Sequence, residues 1–391
     1  MIKFKVEYYN SAHKKLLSKL SCASELENVV KNGLEVSEQE FYVYSLFREQ
    51  KDQIGFRTYQ ELKEKVKSRL ETFHDYFSIS SGSIKSIFSG QNNTDKTMTE
   101  AVGIGASLSL ASKIYGLSEA DWEKIPIAYF KDLDFKIAAT DNEMVLLESK
   151  GAVVADITKK AEISKPLGSI NKKKEEQRNN HDNKNTLLGI ITSIPTVNGS
   201  DAVCRILDPH IDDLGVSPRK YKLLARLSYY YRELRIISKA PFLIALINRI
   251  KAIQDSSDYN IFDGKPLINI DNKPFTMPPS LQISKSVVDK NVAFGEIIPM
   301  GNRKFYYYGF LFDVISVLTE QRFSNILDFR SDDELLPESI IDARIRRSEA
   351  RFLDIEERLL RNRREYFKIT MLGKLFVTKS GKVLGPCCIC D

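Results

Sequence analysis

The stretch Asp134-Phe-Lys-Ile-Ala-Ala-Thr-Asp-Asn-Glu-Met-Val-Leu-Leu-Glu-Ser-Lys-Gly151 decides how this chain folds. Its second half is an apolar run, Met144 to Leu147, that ends in Glu148-Ser149-Lys150-Gly151. Its first half opens on an acid, Asp134, and the polar pair Asp141-Asn142 separates the two halves. Apolar runs joined by turn residues predict two β-strands paired as a hairpin. A Glu and a Lys at the end of a core strand are costly to bury unless they are paired or bound to a metal. Hard carboxylate oxygens suit Mg²⁺ or Mn²⁺. The pattern therefore predicts a divalent metal beside an ammonium, the chemistry needed to cut phosphodiesters.

The triplet Glu-x-Lys occurs three times, so the chain supplies its own control. Glu49-Gln-Lys51 and Glu61-Leu-Lys63 sit in polar, helix-like surroundings and read as solvated salt-bridge material. Only Glu148-Ser149-Lys150 follows an apolar run, precedes a glycine and has an acid opening a strand upstream. An ordinary buried strand carrying a surface ion pair is the competing reading.

The flanks build a sheet around this hairpin. Upstream, Ala101 to Tyr115 is rich in small apolar residues, includes Gly103 and Gly105, and ends at Gly116, as a C-cap glycine would end a helix. Downstream, Ser169 to Asn180 reads as a basic helix whose Lys172, Lys173, Lys174, Gln177 and Arg178 are expected to contact nucleic acid. Leu187 to Ile194 is an apolar run closed by Pro195, which predicts a buried strand, and Ala202 to Leu207 predicts another. Helix, strand, strand, helix, strand is the order of a compact α/β unit.

Over about residues 98 to 195 the chain resembles the PD-(D/E)xK nuclease superfamily, the restriction-endonuclease-like fold. The resemblance rests on the Glu100 helix, Asp134, Glu148-Ser149-Lys150, the basic helix and the Ile190 strand, in that order. It implies a central mixed sheet flanked by helices. It implies that Asp134 and Glu148 ligate Mg²⁺ or Mn²⁺, helped by the Ser149 carbonyl and by Glu100. It implies that Lys150 orients the attacking water and that Gln177 matches a polar helix residue. Leu133, not proline, precedes Asp134, and Asp132 and Asp141 are alternative acids for its role. The function expected from the resemblance is a metal-dependent DNA endonuclease of a microbial restriction or antiphage-defence system. It would work as a homo-oligomer or with a partner protein. The alternative is a non-catalytic nucleic-acid-binding or scaffold subunit on the same fold.

Bulk properties set the frame. The chain has 391 residues, enough for two or three domains, with ordinary hydrophobic (42%) and charged (28%) content. A net charge of +6 suits a polyanionic partner without requiring one. Met1 to Tyr9 alternates polar and apolar residues and predicts an edge strand with no signal-peptide core. No run reaches the ~18 apolar residues of a membrane helix, so no membrane partner is expected. Five unevenly spaced cysteines predict a reducing, cytoplasmic setting. There is no Gly-x-x-x-x-Gly-Lys-Ser/Thr loop for a nucleotide.

Three domains are expected: a mainly helical one over residues 1–95, the nuclease core over 96–212, and an α+β domain for substrate or partner over 213–391. The Ser/Gly/Asn-rich residues 78–97 predict the first boundary loop. After Ser217-Pro218 a helix combines Arg219, Lys220, Lys222, Arg226, Arg232 and Arg235 with Tyr221, Tyr229, Tyr230 and Tyr231. Either its cations grip a nucleic-acid backbone while its rings stack on bases, or the tyrosines pack inside. Phe294 to Phe312 predicts a strand pair around Gly301-Asn302, and Pro337 to Phe367 a long arginine-rich helix. A hairpin from Phe367–Met371 and Lys374–Thr378 and a mobile tail bearing Cys387, Cys388 and Cys390 complete the chain.

Overall fold

The computed structural model describes residues 1–46, 59–88, 95–122, 134–141, 143–180, 186–196, 200–207, 217–235, 237–238, 240–275, 285–288, 291–301, 304–332, 334–346 and 366–389, with side chains omitted at some of these, including 175–180. The chain divides into two compact units, Met1–Asp52 with Val66–Lys222, and Gln53–Lys65 with Leu223–Asp391. The elements in chain order are β1 (Ile2–Tyr8), α1 (Ser11–Leu17), α2 (Ala23–Asn32), β2 (Leu34–Val36), α3 (Glu38–Ser45), α4 (Tyr59–Tyr76), β3 (Phe77–Ser80) and β4 (Ser83–Ser86). Then come α5 (Lys96–Tyr115), β5 (Phe135–Ala138), β6 (Met144–Val154), α6 (Ser164–Asn180), β7 (Thr186–Pro195), β8 (Val203–Leu207), α7 (Pro218–Leu234) and α8 (Ala240–Asp255). The remainder is β9 (Lys285–Val288), β10 (Asn291–Gly301), β11 (Lys304–Leu311), α9 (Phe312–Glu320), α10 (Phe323–Asp328), β12 (Glu334–Arg346), β13 (Tyr366–Val377) and β14 (Lys382–Ile389).

The first unit is built on a six-stranded mixed sheet in the order β2-β1-β8-β7-β6-β5. The β5–β6 hairpin is antiparallel, with Phe135 opposite Leu147. α6 crosses over to β7, which runs parallel to β6 and antiparallel to β8. β6 is buried along nearly all its length, Glu148 and Ser149 included, because neighbours cover both faces, as in an interior strand. The expected α/β order of helix, strand, strand, helix, strand is thus present, with helices flanking the sheet.

The N-terminal segment is not the separate helical domain expected over residues 1–95. β1 pairs in parallel with β8 and antiparallel with β2, so it is an interior strand and not an edge. Its alternation of buried Ile2, Phe4 and Val6 with exposed residues on the other face misled the reading. The boundary loop expected at 78–97 is in part the small β3–β4 hairpin, turned through Ser81 and Gly82 at positive φ. Residues 89–94 lie outside those described. Ser37 caps α3 by accepting from the Glu40 N–H.

α5 is buried nearly all round, as expected of a helix that is apolar on every side. Asp95 caps its first turn and Gly116, in the left-handed conformation, ends it. It lies so close to β6 that a Cβ on Gly151 would stand 2.1 Å from the Thr99 carbonyl oxygen, and one on Gly103 2.4 Å from the Gly151 nitrogen. Both obstacles are backbone, so Gly151→Ala or Gly103→Ala is expected to lower stability by about 3 kcal/mol, the upper end for overpacking. Gly168, in α6, has open space around it, and Gly168→Ala is expected to raise helix stability by up to ~1 kcal/mol. Urea denaturation of the three variants reads the contrast.

The second unit is built on a closed antiparallel barrel, β10-β11-β14-β13-β12-β9. The predicted strand pair around Gly301 is β10–β11. Over residues 337–346 the chain is not the expected long helix but part of β12. Leu336, Ser339 and Ile341 point inward while Ile340 and Asp342 point out, and the register shifts between Leu336 and Ser339, where Pro337 falls. A proline at a bulge costs no ladder hydrogen bond, and in the sequence the same residue looks like a helix start. Residues 347–365 of the expected helix lie outside the described residues. Phe367 to Thr378 is not a hairpin: β13 is one strand through Val377, and it turns at residues 378–381 into β14. The cysteine-bearing segment is therefore not a tail. Cys387 is buried in the barrel wall, where burial pushes its thiol up to about 12, and Cys390 lies outside the described residues.

Candidate functional site

The geometry of the site follows from the two-residue period of β6. Leu147 and Val153 pack into the core on the α5 side, whereas Ala152 and Val154 pack with Ile163 and Ile170 on the α6 side. Ser149 faces α5, and its Oγ bonds the Ser107 Oγ at 2.9 Å. Glu148 and Lys150 therefore share the α6 side. Asp134, just ahead of β5, is level with Glu148 because Phe135 pairs with Leu147.

Backbone groups pin both acids. The Ser149 N–H donates to Asp134 Oδ2 at 3.0 Å, and the Asp134 N–H donates to Glu148 Oε2 at 3.3 Å. Each strand thus orients the carboxylate of the other. Two ammoniums close the group. Lys150 Nζ is 2.5 Å from Glu148 Oε1 and 4.0 Å from Asp134 Oδ2. Lys173 Nζ, from α6, is 2.7 Å from Glu148 Oε1, donates to Glu148 Oε2 at 2.8 Å and to Asp134 Oδ1 at 3.4 Å.

The Glu148 side chain is 0% exposed. Burial, then the neighbouring Asp134 charge, raises its pKa, and the two ammoniums oppose that rise. Burial alone would lower Lys173, but Glu148 and Asp134 outweigh it and hold Lys173 above its ordinary value. Glu148 Oε1 has both ammoniums close by yet receives no well-directed hydrogen bond. That oxygen already faces two cations, so a metal ion that took it would compete with an ammonium for it.

The donor set fits Mg²⁺, which takes one or two carboxylates and keeps several waters. Asp134 and Glu148 would hold it. Among the described residues, no three or more His, Cys, Asp and Glu side chains converge as a metal cage. Glu100 is accordingly not gathered into this cluster: its side chain is 55% exposed and lies 3.9 Å from Lys96 in the first turn of α5. Asp141, an alternative to Asp134, instead pairs with Arg219 at 3.1 Å, and Asp132 lies outside the described residues.

The residues expected to bind nucleic acid meet different fates. Lys172 is exposed, Lys173 joins the acids and Lys174 is buried. The side chains of Gln177 and Arg178 lie outside those described. Lys220 and Lys222 are half-buried on the first turns of α7. Arg226 is 3% exposed and donates to the Ile326 and Phe329 carbonyls at 2.8 and 3.0 Å, so it fastens the end of α10 and is not a nucleic-acid contact. The ring-stacking reading fails for the same reason at three of the four tyrosines, Tyr231 being half-buried. Tyr221, Tyr229 and Tyr230 are buried, and the hydroxyls of Tyr229 and Tyr230 bond Ser380.

Three participants were missed. The sequence places Lys173 with its neighbours among the expected nucleic-acid contacts and not beside the two acids. Helical spacing from Ile170, the buried apolar residue of that basic run, points at 173 and 174 and not at 172. Ser107 gives no signal by itself. Lys136 shares the site's side of β5, two residues past Asp134; burial lowers its pKa, and its ammonium lies over the Tyr221 ring at 5.4 Å.

No protein-family model matches the chain, and comparison with curated proteins and with solved structures returns no significant match.

Proposed function

We propose that the first unit is a metal-dependent nuclease that hydrolyses phosphodiester bonds in DNA. The observation that carries this reading is the fully buried Glu148 carboxylate, held level with Asp134 by reciprocal backbone hydrogen bonds, with Lys150 beside both. A bound Mg²⁺ would lower the pKa of its water and neutralise charge on the phosphate. Asp134 and Glu148 would hold the ion, already oriented and without reorganisation at the moment of reaction. Lys150 would hold the attacking water in line and donate to the phosphate oxygen on which charge develops. Lys172 and the basic first turns of α7 would supply backbone contacts to a polyanion. DNA as the substrate, and a role in restriction or antiphage defence, follow from the superfamily resemblance.

A second reading has its own observation. Two carboxylates facing two ammoniums are already neutral, as in a structural ion-pair cluster, which would suit a binding subunit that does not cut. Incubating the protein with plasmid, single-stranded DNA and RNA, with Mg²⁺ or EDTA, separates the two. The nuclease reading expects Mg²⁺-dependent cleavage of DNA. Tight nucleic-acid binding with no cleavage under Mg²⁺ or Mn²⁺ would replace it with the binding subunit.

A further inference from the structure

The cation already seated between the two acids is Lys173. Its Nζ touches three of the four carboxylate oxygens at 3.4 Å or less, Glu148 Oε1 and Oε2 and Asp134 Oδ1. This is the bridging position that a divalent ion held by both acids would take. Two carboxylates and two ammoniums sum to zero charge. A divalent ion added to that set would face two like charges in a buried setting with few compensating oxygens. One ammonium must leave.

The geometry decides which. Lys150 projects from the same strand as Glu148, two residues on, so its ammonium stays beside whatever Glu148 binds. It lies 4.0 Å from Asp134 and does not bridge the pair. Lys173 reaches in from α6 on a four-carbon arm, and its side chain is 33% exposed. It can turn to water with no movement of the backbone.

We propose that Lys173 is a tethered counter-ion that fills the metal position between Asp134 and Glu148 and swings out when a divalent ion enters, so that it sets the metal concentration at which the site loads. This rests on the metal-site reading above. The lysine has two consequences. It keeps a buried acid pair compensated while the metal is absent, and it makes metal affinity a competition between two cations.

The test is a Mn²⁺ titration of the full chain, followed by the electron paramagnetic resonance of free Mn²⁺, for wild type, Lys173→Met, Lys173→Gln and Lys173→Arg. Removing the charge is expected to tighten Mn²⁺ binding roughly tenfold in the Met and Gln variants. Lys173→Arg keeps the charge and is expected to bind within about twofold of wild type. Gln retains a hydrogen-bond donor for Glu148, so it carries the comparison if Met does not fold. Equal or weaker binding in the uncharged variants would overturn the counter-ion role while leaving the metal site standing. Absence of Mn²⁺ binding in every form, wild type included, would overturn the metal-site reading and this proposal together.

Discussion

Lys150→Ala is expected to lower Mg²⁺-dependent DNA cleavage by roughly 10²–10³-fold, the loss usual when one preorganised donor to a developing charge is removed. Glu148→Gln is expected to cost at least as much, because it removes a ligand charge without changing the shape of the site. The two variants should differ in metal binding. Glu148→Gln should lose it, since Glu148 is one of the two acids that the cluster holds among the described residues. Lys150→Ala should retain it, with Mg²⁺ bound no more weakly than in wild type because a neighbouring positive charge is gone, and fail in the chemical step, so kcat falls. Lys150→Arg should not restore activity, because a planar guanidinium cannot occupy a point-charge position 2.5 Å from Glu148 Oε1. Single-turnover cleavage of a labelled duplex across a Mg²⁺ series measures all three.

Glu233→Gln is expected to destabilise the second unit by about 3 kcal/mol at neutral pH, and hardly at all near pH 2. Burial would raise this carboxyl, but Lys382 at 2.8 Å, Arg232 at 3.3 Å and the Tyr308 hydroxyl outweigh it and hold it at about 2. A folded-state pKa below the unfolded one gives stability that is present above the unfolded value and is lost as pH falls through the folded value. The window here runs from about 4.3 down to about 2. Lys382 also lies over the rings of Tyr229 and Tyr308, at 5.1 and 5.8 Å, so one buried acid gathers α7, β11 and β14. Urea denaturation of wild type and variant at a series of pH values reads the difference. A gap that does not shrink between pH 5 and pH 2 would mean that Glu233 does not act through its charge.

The parts of the fold that could be read in the sequence were those whose signal is local. Met144 to Leu147 followed by Glu-x-Lys announced β6, Gly116 announced the end of α5, and Gly301-Asn302 announced the β10–β11 turn. What could not be read was pairing at a distance. Nothing in Ile2 to Tyr8 says that it lies beside Val203 to Leu207, because a parallel partner leaves no turn between the strands. The barrel was hidden for two reasons. Its closure joins β9 to β12 and β11 to β14 across long intervals. It also exposes Leu335, Ile340 and Leu372, which blurs the in–out alternation of β12 and β13. Within the site, Glu148 and Lys150 were legible because one strand carries both. Lys173 was not, since its place depends on how α6 rolls against the sheet. In the tyrosine-rich α7 the same cations and rings serve an interior or an exterior equally well on composition, and only packing assigns Arg226 and Tyr230 to the inside.

The central claim is that Asp134 and Glu148 together hold a divalent ion. Crystals soaked in saturating Mn²⁺ and measured at the manganese absorption edge test it most directly. One anomalous peak is expected about 2.2 Å from an oxygen of each carboxylate, with Lys150 still beside Glu148 and Lys173 turned away. A soaked crystal with no peak there, and with Lys173 still bridging the two acids, would contradict it.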